Sequence, residues 1–259
     1  MRRTALITGG SRGLGRALAE GLAAEGWNVV VDGRDPEALE RARAAIDAAG
    51  PGTVVALPGD VDDPVHVAAL VAAAIGQGRY ELLVNNAGTL GPAPMPPVAE
   101  LHAGDLERAL RTNVVAPLRI IQASLPRLRS EHGAVVNITS DAAVEGYEGW
   151  GAYGATKAAL EQLSRVLAAE EPAVGVYWVD PGDMHTRMHQ DAFPGEDISD
   201  RPLPATRVPG LLRLVRERPP SGRYQVEQLL APEADHAGGA DEADATDAVP
   251  ASGEAVALR

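Results

Sequence analysis

Apolar and polar positions along the chain follow two rhythms. Short, mainly apolar runs recur at residues 4–8, 27–31, 53–57, 80–84, 134–138 and 174–179. Runs of that length, bounded by glycine, proline or polar residues, predict strands buried on both faces. Between them, apolar residues spaced three and four apart predict helices over residues 14–26, 35–49, 65–76, 105–130, 152–167 and 206–218. Pro117 is expected to interrupt the fourth of these. Residues 224–226 read as a short last strand, and residues 91–97, with four prolines, as a loop. Residues 183–204 carry mixed charge and three prolines and also read as a loop. Strands alternating with helices predict an α/β architecture: one doubly wound parallel sheet, a single domain over residues 1–230. Ligands of such sheets bind at the carboxyl ends of the strands.

From Ala231 the periodicity stops, and seven carboxylates stand against one terminal arginine. This composition predicts an acidic disordered tail over residues 231–259. The whole chain has 259 residues and a net charge of −13, which argues against nucleic acid and against an anionic membrane surface as partners. Without cysteine, neither disulfides nor thiolate metal sites are open to it. The apolar run after Met1-Arg2-Arg3 is too short for a signal peptide, and no stretch is long enough to span a bilayer. A cytoplasmic protein without a membrane partner is expected.

Polar clusters fall where the predicted strands end. After the first strand comes Gly9-Gly10-Ser11-Arg12-Gly13-Leu14-Gly15, opening a helix. Glycines allow a tight turn and close backbone approach, and the helix start offers free N–H groups, which together suit a pyrophosphate. The second strand ends in Asp32-Gly33-Arg34. A carboxylate there would bind ribose hydroxyls, whereas an arginine would bind a phosphate, and the sequence leaves both open. Asp60 ends the third strand, placed either to accept from an adenine amine or to cap the following helix. Asn113 is a polar amide inside an apolar helical run; it either bonds only to backbone or has a special task. The fifth strand delivers Ser140, thirteen residues before Tyr153, and Lys157 follows four residues after Tyr153. Four apart on a helix, Tyr153 and Lys157 share a face. A phenol beside an ammonium and a hydroxyl suits a carbonyl becoming an alkoxide. Lys157 is the only lysine among 23 lysine and arginine residues. His185 and His189 are four apart, but no third ligand is evident and no metal is expected.

With these residues assembled, the chain resembles the short-chain dehydrogenase/reductase family over roughly residues 3–226. The resemblance is carried by Thr8-Gly-Gly-Ser-Arg-Gly-Leu-Gly15, Asp60, Asn85-Asn-Ala-Gly88, Asn113, Ser140, Tyr153-x-x-x-Lys157 and Pro181-Gly182-x-x-x-Thr186. It implies a Rossmann-like fold and a nicotinamide dinucleotide. Gly9, Gly13 and Gly15 are expected to line the pyrophosphate, with Ser11, Arg12 and Leu14 completing the loop. Asp60 and Val61 would lie at the adenine, Asn86, Ala87 and Gly88 along the adenosine side, and Pro181, Gly182, Met184 and Thr186 at the nicotinamide. Tyr153 would be the general acid in reduction and the base in oxidation. Lys157 would hold the ribose and depress the Tyr153 pKa, Ser140 would orient the carbonyl, and Asn113 would support a water leading from Lys157 to solvent.

Aligned on the family, Gly33 takes the place of the carboxylate that selects NAD, and Arg34 that of the arginine holding the NADP phosphate. NADP(H) is therefore favoured, with NAD(H) possible. The implied activity is reduction of a small-molecule carbonyl to an alcohol, or its reverse. A non-catalytic dinucleotide-binding sensor is the alternative, opposed by the intact Ser–Tyr–Lys set. A homodimer through the helices of Asn113 and Tyr153 is expected. A tetramer lacks support, because the glycine pair that commonly follows the family's last strand is missing after Tyr224.

Overall fold

The computed structural model describes residues 1–231. The acidic tail anticipated from the composition lies, but for Ala231, outside the described residues. Seven strands form one parallel sheet in the order β3-β2-β1-β4-β5-β6-β7. They are β1 (Arg3–Ile7), β2 (Asn28–Gly33), β3 (Val54–Pro58), β4 (Arg79–Asn85), β5 (Ala134–Ile138), β6 (Gly175–Asp180) and β7 (Gly222–Gln225). Helices α1 (Gly13–Ala24), α2 (Pro36–Ala49) and α3 (Pro64–Gly76) connect the first four strands. Then come α4 (Ala103–Leu110), α5 (Ala116–Ser130), α6 (Gly151–Glu170), α7 (Arg187–Ala192), α8 (Val208–Glu217) and α9 (Val226–Leu230).

The side-chain alternation of each strand splits the core into two layers. On one side Ala5, Ile7, Val29 and Val31 pack with Leu18, Leu22, Leu39, Ile46 and Leu211 of α1, α2 and α8. On the other, Leu6, Val30 and Leu83 pack with Leu70, Ile120 and Ile121 of α3 and α5. Both faces are covered, which is why the strands read as continuous apolar runs. Strand order reverses between β1 and β4, whose ends Ile7 and Val84 lie in register. That reversal opens the crevice in which such sheets hold ligands.

Two segments differ from the sequence expectation. The break in the long fourth helix comes before Pro117, as a π-helical turn over Arg111–Val115. Pro117 sits in the first turn of α5, where its missing N–H would have no helical partner anyway. The extra residue of the π turn belongs to the segment carrying Asn113, whose amide is drawn to Thr89 on the neighbouring loop. Inside the expected loop 183–204 lies the short helix α7, whose first turn is capped by Thr186 Oγ1 accepting from His189 N at 3.2 Å. Among the described residues, no helix is long and apolar enough to cross a membrane.

Candidate active site

A cavity of about 1960 Å³ runs along the carboxyl ends of the strands, from Arg12 and Arg34 at one end to Tyr153 and His189 at the other. Every residue singled out from the sequence as a site residue lines it except Gly15 and Asn113, which pack directly behind it.

The glycine loop is built from below. Asp32, only 1% exposed, accepts Gly9 N–H on Oδ1 at 2.6 Å. Its Oδ2 lies 3.1 Å from His66 Nε2 of α3. Thr8 Oγ1 accepts from the backbone N–H of both Asn86 and Ala87 at 3.0 Å. The Asn86 side chain turns back to donate to Thr8 O at 2.8 Å and Gly9 O at 3.2 Å. Asn86 therefore ties the loop to β4. Gly13 turns with φ +56 into α1, a conformation that strains residues with a Cβ. Gly15 is required by approach: a Cβ there would stand 2.4 Å from Asn86 Nδ2 and 2.6 Å from Gly9 O. Gly15→Ala is expected to displace the loop and abolish dinucleotide binding, checked by fluorescence titration.

At the start of α1 no side chain caps the free N–H groups, whereas Asp35 caps α2 and Asp63 caps α3. A helix start left open above a glycine turn and facing a cavity fits a pyrophosphate. The cradle thus suits the dinucleotide that the sequence implied. Asp32, at the end of β2, is buried and has both oxygens engaged, by Gly9 N–H and by His66. A Cβ on Gly33 would meet Ser11 Cβ at 2.9 Å, so Ser11 fills the space a side chain there would need. Arg12 and Arg34 are exposed at the rim and form no ion pair among the described residues. Asp60 does not cap α3, since Asp63 does. It accepts Asp62 N–H at 3.0 Å and borders the cavity beside the buried Val61.

At the other end β5 delivers Ser140, and α6 presents Tyr153 and Lys157 from its first two turns. Both α6 side chains are buried, Tyr153 to 8% and Lys157 to 4% exposure. Lys157 Nζ donates to Ile138 O at 2.8 Å and stands 5.4 Å from the Tyr153 ring centre. Burial pulls the Lys157 pKa down to about 8. Burial also pushes the Tyr153 phenol up, and the Asp180 and Asp141 charges add to the rise. Loss of water around the phenol is the largest cause, and Lys157 is not among those acting on it in the cofactor-free site.

Asn113 does more than bond to backbone. Oδ1 accepts Thr89 N–H at 2.8 Å, and Nδ2 donates to Thr89 O at 2.8 Å and to Thr156 Oγ1 at 2.9 Å. Its amide locks the loop after β4 to α6 one residue before Lys157. At the end of β6, Pro181 and Gly182 border the cavity with Met184 and Thr186. Asp180 Oδ1 accepts Gly182 N–H at 2.9 Å.

Several contributors escaped the sequence reading. Arg223 of β7 donates to Ser140 O at 3.3 Å, to Asp180 Oδ2 at 3.3 Å and to Glu161 Oε1 at 3.0 Å. It clamps the backbone that carries the serine, and only the sheet order brings residue 223 there. Trp150 stands edge-on to Tyr153, with ring centres 5.7 Å apart, and borders the same end.

Seen in this geometry, the comparisons define the class. The short chain dehydrogenase family model matches residues 3–197, and the chain belongs to that family of oxidoreductases. Among curated relatives, bovine (Bos taurus) sepiapterin reductase is 35% identical over 201 residues, covering 73% of this chain and 75% of that protein. The serine 3-dehydrogenase of Agrobacterium fabrum is 38% identical over 191 residues, covering 73% and 74%. A short chain dehydrogenase of Shigella flexneri, solved in complex with NADP, superposes with a TM-score of 0.81 at 29% identity, covering 87% of this chain and 97% of that one. One from Escherichia coli, solved with NADPH, gives 0.80 at 30% identity, covering 87% and 96%.

Proposed function

We propose that this protein reduces a small-molecule carbonyl to an alcohol, with NADP(H) preferred over NAD(H). The observation that carries the reading is the placing of the Tyr153 phenol, buried on α6 and bordering the cavity together with Ser140 and Lys157. A proton donor held beside a hydroxyl is matched to an oxygen gaining negative charge. The dinucleotide, when bound, supplies the hydride. Tyr153 gives its proton to the substrate oxygen, Ser140 orients that oxygen, and Lys157 reaches the ribose from the foot of α6. Asn113 fixes the turn behind Lys157. The relatives solved with NADP and NADPH support the same cofactor class here.

The NADP(H) preference is supported by the buried Asp32 and by the arginines at the rim. Arg12, Arg16, Arg41 and Arg187 also surround a small side cavity of about 410 Å³ next to Ser11. Arg12→Ala and Arg34→Ala are each expected to weaken NADPH binding by about tenfold or more. NADH binding should stay within about twofold, as read by parallel fluorescence titrations. A fall in both affinities together would remove the phosphate reading. The functional test is NADPH oxidation, followed at its absorbance band, across a panel of aldehydes and ketones. No consumption with any of them would defeat the proposal.

Leu163 and Val166 of α6 and Val115 before α5 are exposed. An apolar strip on those helices supports a homodimer there, which sedimentation velocity tests.

A further inference from the structure

Asp141 has no part in the mechanism above, yet it touches the serine on which that mechanism depends. It follows Ser140 directly, is exposed and lines the cavity. Oδ1 accepts from Ser140 Oγ and from Ala142 N, each at 2.8 Å, and Oδ2 accepts from Tyr147 OH at 2.9 Å. A serine hydroxyl has one proton to give. Here that proton goes to Asp141, while Oγ accepts from Ala142 N at 3.2 Å. A neutral carbonyl is a weaker acceptor than a carboxylate. It would have to win the Ser140 proton away from Asp141. A substrate that brings its own donor to Asp141 removes that competition.

The surroundings favour a charged donor. Asp183 lines the cavity with Asp141, and both, with Glu145, act on the nearby Tyr147 phenol. Asp183 is partly offset by Arg201 at 3.7 Å and His189 at 3.6 Å, whereas Asp141 has no ion pair among the described residues. Of nine aromatic residues in the chain, four gather here. Trp150 stands 6.0 Å from Tyr147, 5.7 Å from Tyr153 and 5.8 Å from Phe193, measured between ring centres. Of these, Trp150 and Tyr153 line the cavity with Asp141, and aromatic rings near a carboxylate suit a cation.

We propose that the substrate carries an ammonium group on the carbon next to the reacting carbonyl or carbinol, and that Asp141 receives it, releasing the Ser140 proton to the substrate oxygen. The spacing follows from the 2.8 Å between Ser140 Oγ and Asp141 Oδ1. A hydroxyl or carbonyl and an ammonium on adjacent carbons fit that separation. The inference rests on the reading of Ser140 and Tyr153 as the substrate-facing pair.

The test uses 1-amino-2-propanol and butan-2-ol, which differ by an ammonium in place of a methyl. Each is titrated into the protein saturated with NADP⁺ at pH 7 and followed by ligand-observed NMR. Oxidation of each is measured as NADPH formed: one hydride leaves the carbinol carbon per ketone produced, and the hydroxyl proton is released to solvent. The amino alcohol is expected to bind about tenfold tighter or better. That preference should fall to within about twofold in Asp141→Asn and survive in Asp200→Asn, a change on the exposed loop. Equal binding of the two alcohols, binding of neither, or a preference unchanged in Asp141→Asn overturns the ammonium site. A cation preference without oxidation of either compound leaves the site standing and removes the catalytic reading of Ser140 and Tyr153. Equal binding with equal oxidation does the reverse.

Discussion

Tyr153→Phe is expected to lower turnover by about a thousandfold while leaving NADPH affinity within about twofold. A positioned general acid contributes about 10²–10⁴ in rate, and no other buried proton donor shares the Tyr153 position. The ring should stay where it is. It packs with Leu90 and Ala142 in a small cluster against Met95, Trp150 and Ala192, and phenylalanine keeps those contacts. Removing the hydroxyl also relieves a buried polar group, so stability should not fall. Ser140 would keep its bond to Asp141. The measurement pairs kcat at saturating cofactor with a fluorescence titration of NADPH. Turnover within tenfold of the parent would take Tyr153 out of the mechanism. A parallel loss of NADPH binding would show that the substitution had disturbed the site rather than the chemistry.

What could be read from the chain is what depends on near neighbours. The strands show as apolar runs because both faces of the sheet are covered. The glycine loop and the Tyr153–Lys157 spacing are local by construction. The failures are cases in which a distant contact decides. Asp32 and Arg34 looked equivalent as candidates because the sequence does not say which way a strand end faces. His66, thirty-four residues further on, and Gly9 N–H engage both Asp32 oxygens. Pro117 looked like the break in its helix, yet the extra residue lies a turn earlier, where Thr89 and Thr156 claim the Asn113 amide. Spacing alone implied that Lys157 would acidify Tyr153. It could not report how thoroughly both are buried, and burial reverses the sign for the phenol. Asp141 was in plain view beside Ser140, but an adjacent residue can point anywhere, and only the turn after β5 directs it at the serine.

Lys157→Met is expected to stabilise the protein at neutral pH while removing its cofactor function. Lys157 is 4% exposed, forms no ion pair among the described residues and donates a hydrogen bond to Ile138 O at 2.8 Å. Burial lowers its pKa from 10.5 to about 8, so the charged form is disfavoured in the folded state. Between those two values the unfolded chain binds more protons than the folded one, and stability of the parent therefore rises with pH. Below about pH 8 the full penalty applies; above 10.5 it has vanished. A displacement of that size corresponds to about 3 kcal/mol. Losing the bond to Ile138 O returns about 1 kcal/mol of it, so methionine should gain about 2 kcal/mol at pH 7 and little at pH 10.5. Denaturant titrations of both proteins without cofactor, at the two pH values, check this. A parent more stable than the variant at pH 7 would mean that the ammonium is well accommodated where it stands. NADPH should raise the melting temperature of the parent and leave that of the variant unchanged. A lysine kept in an unfavourable site, to be stabilised further if a ribose accepts from it, is what a binding group at the foot of α6 requires.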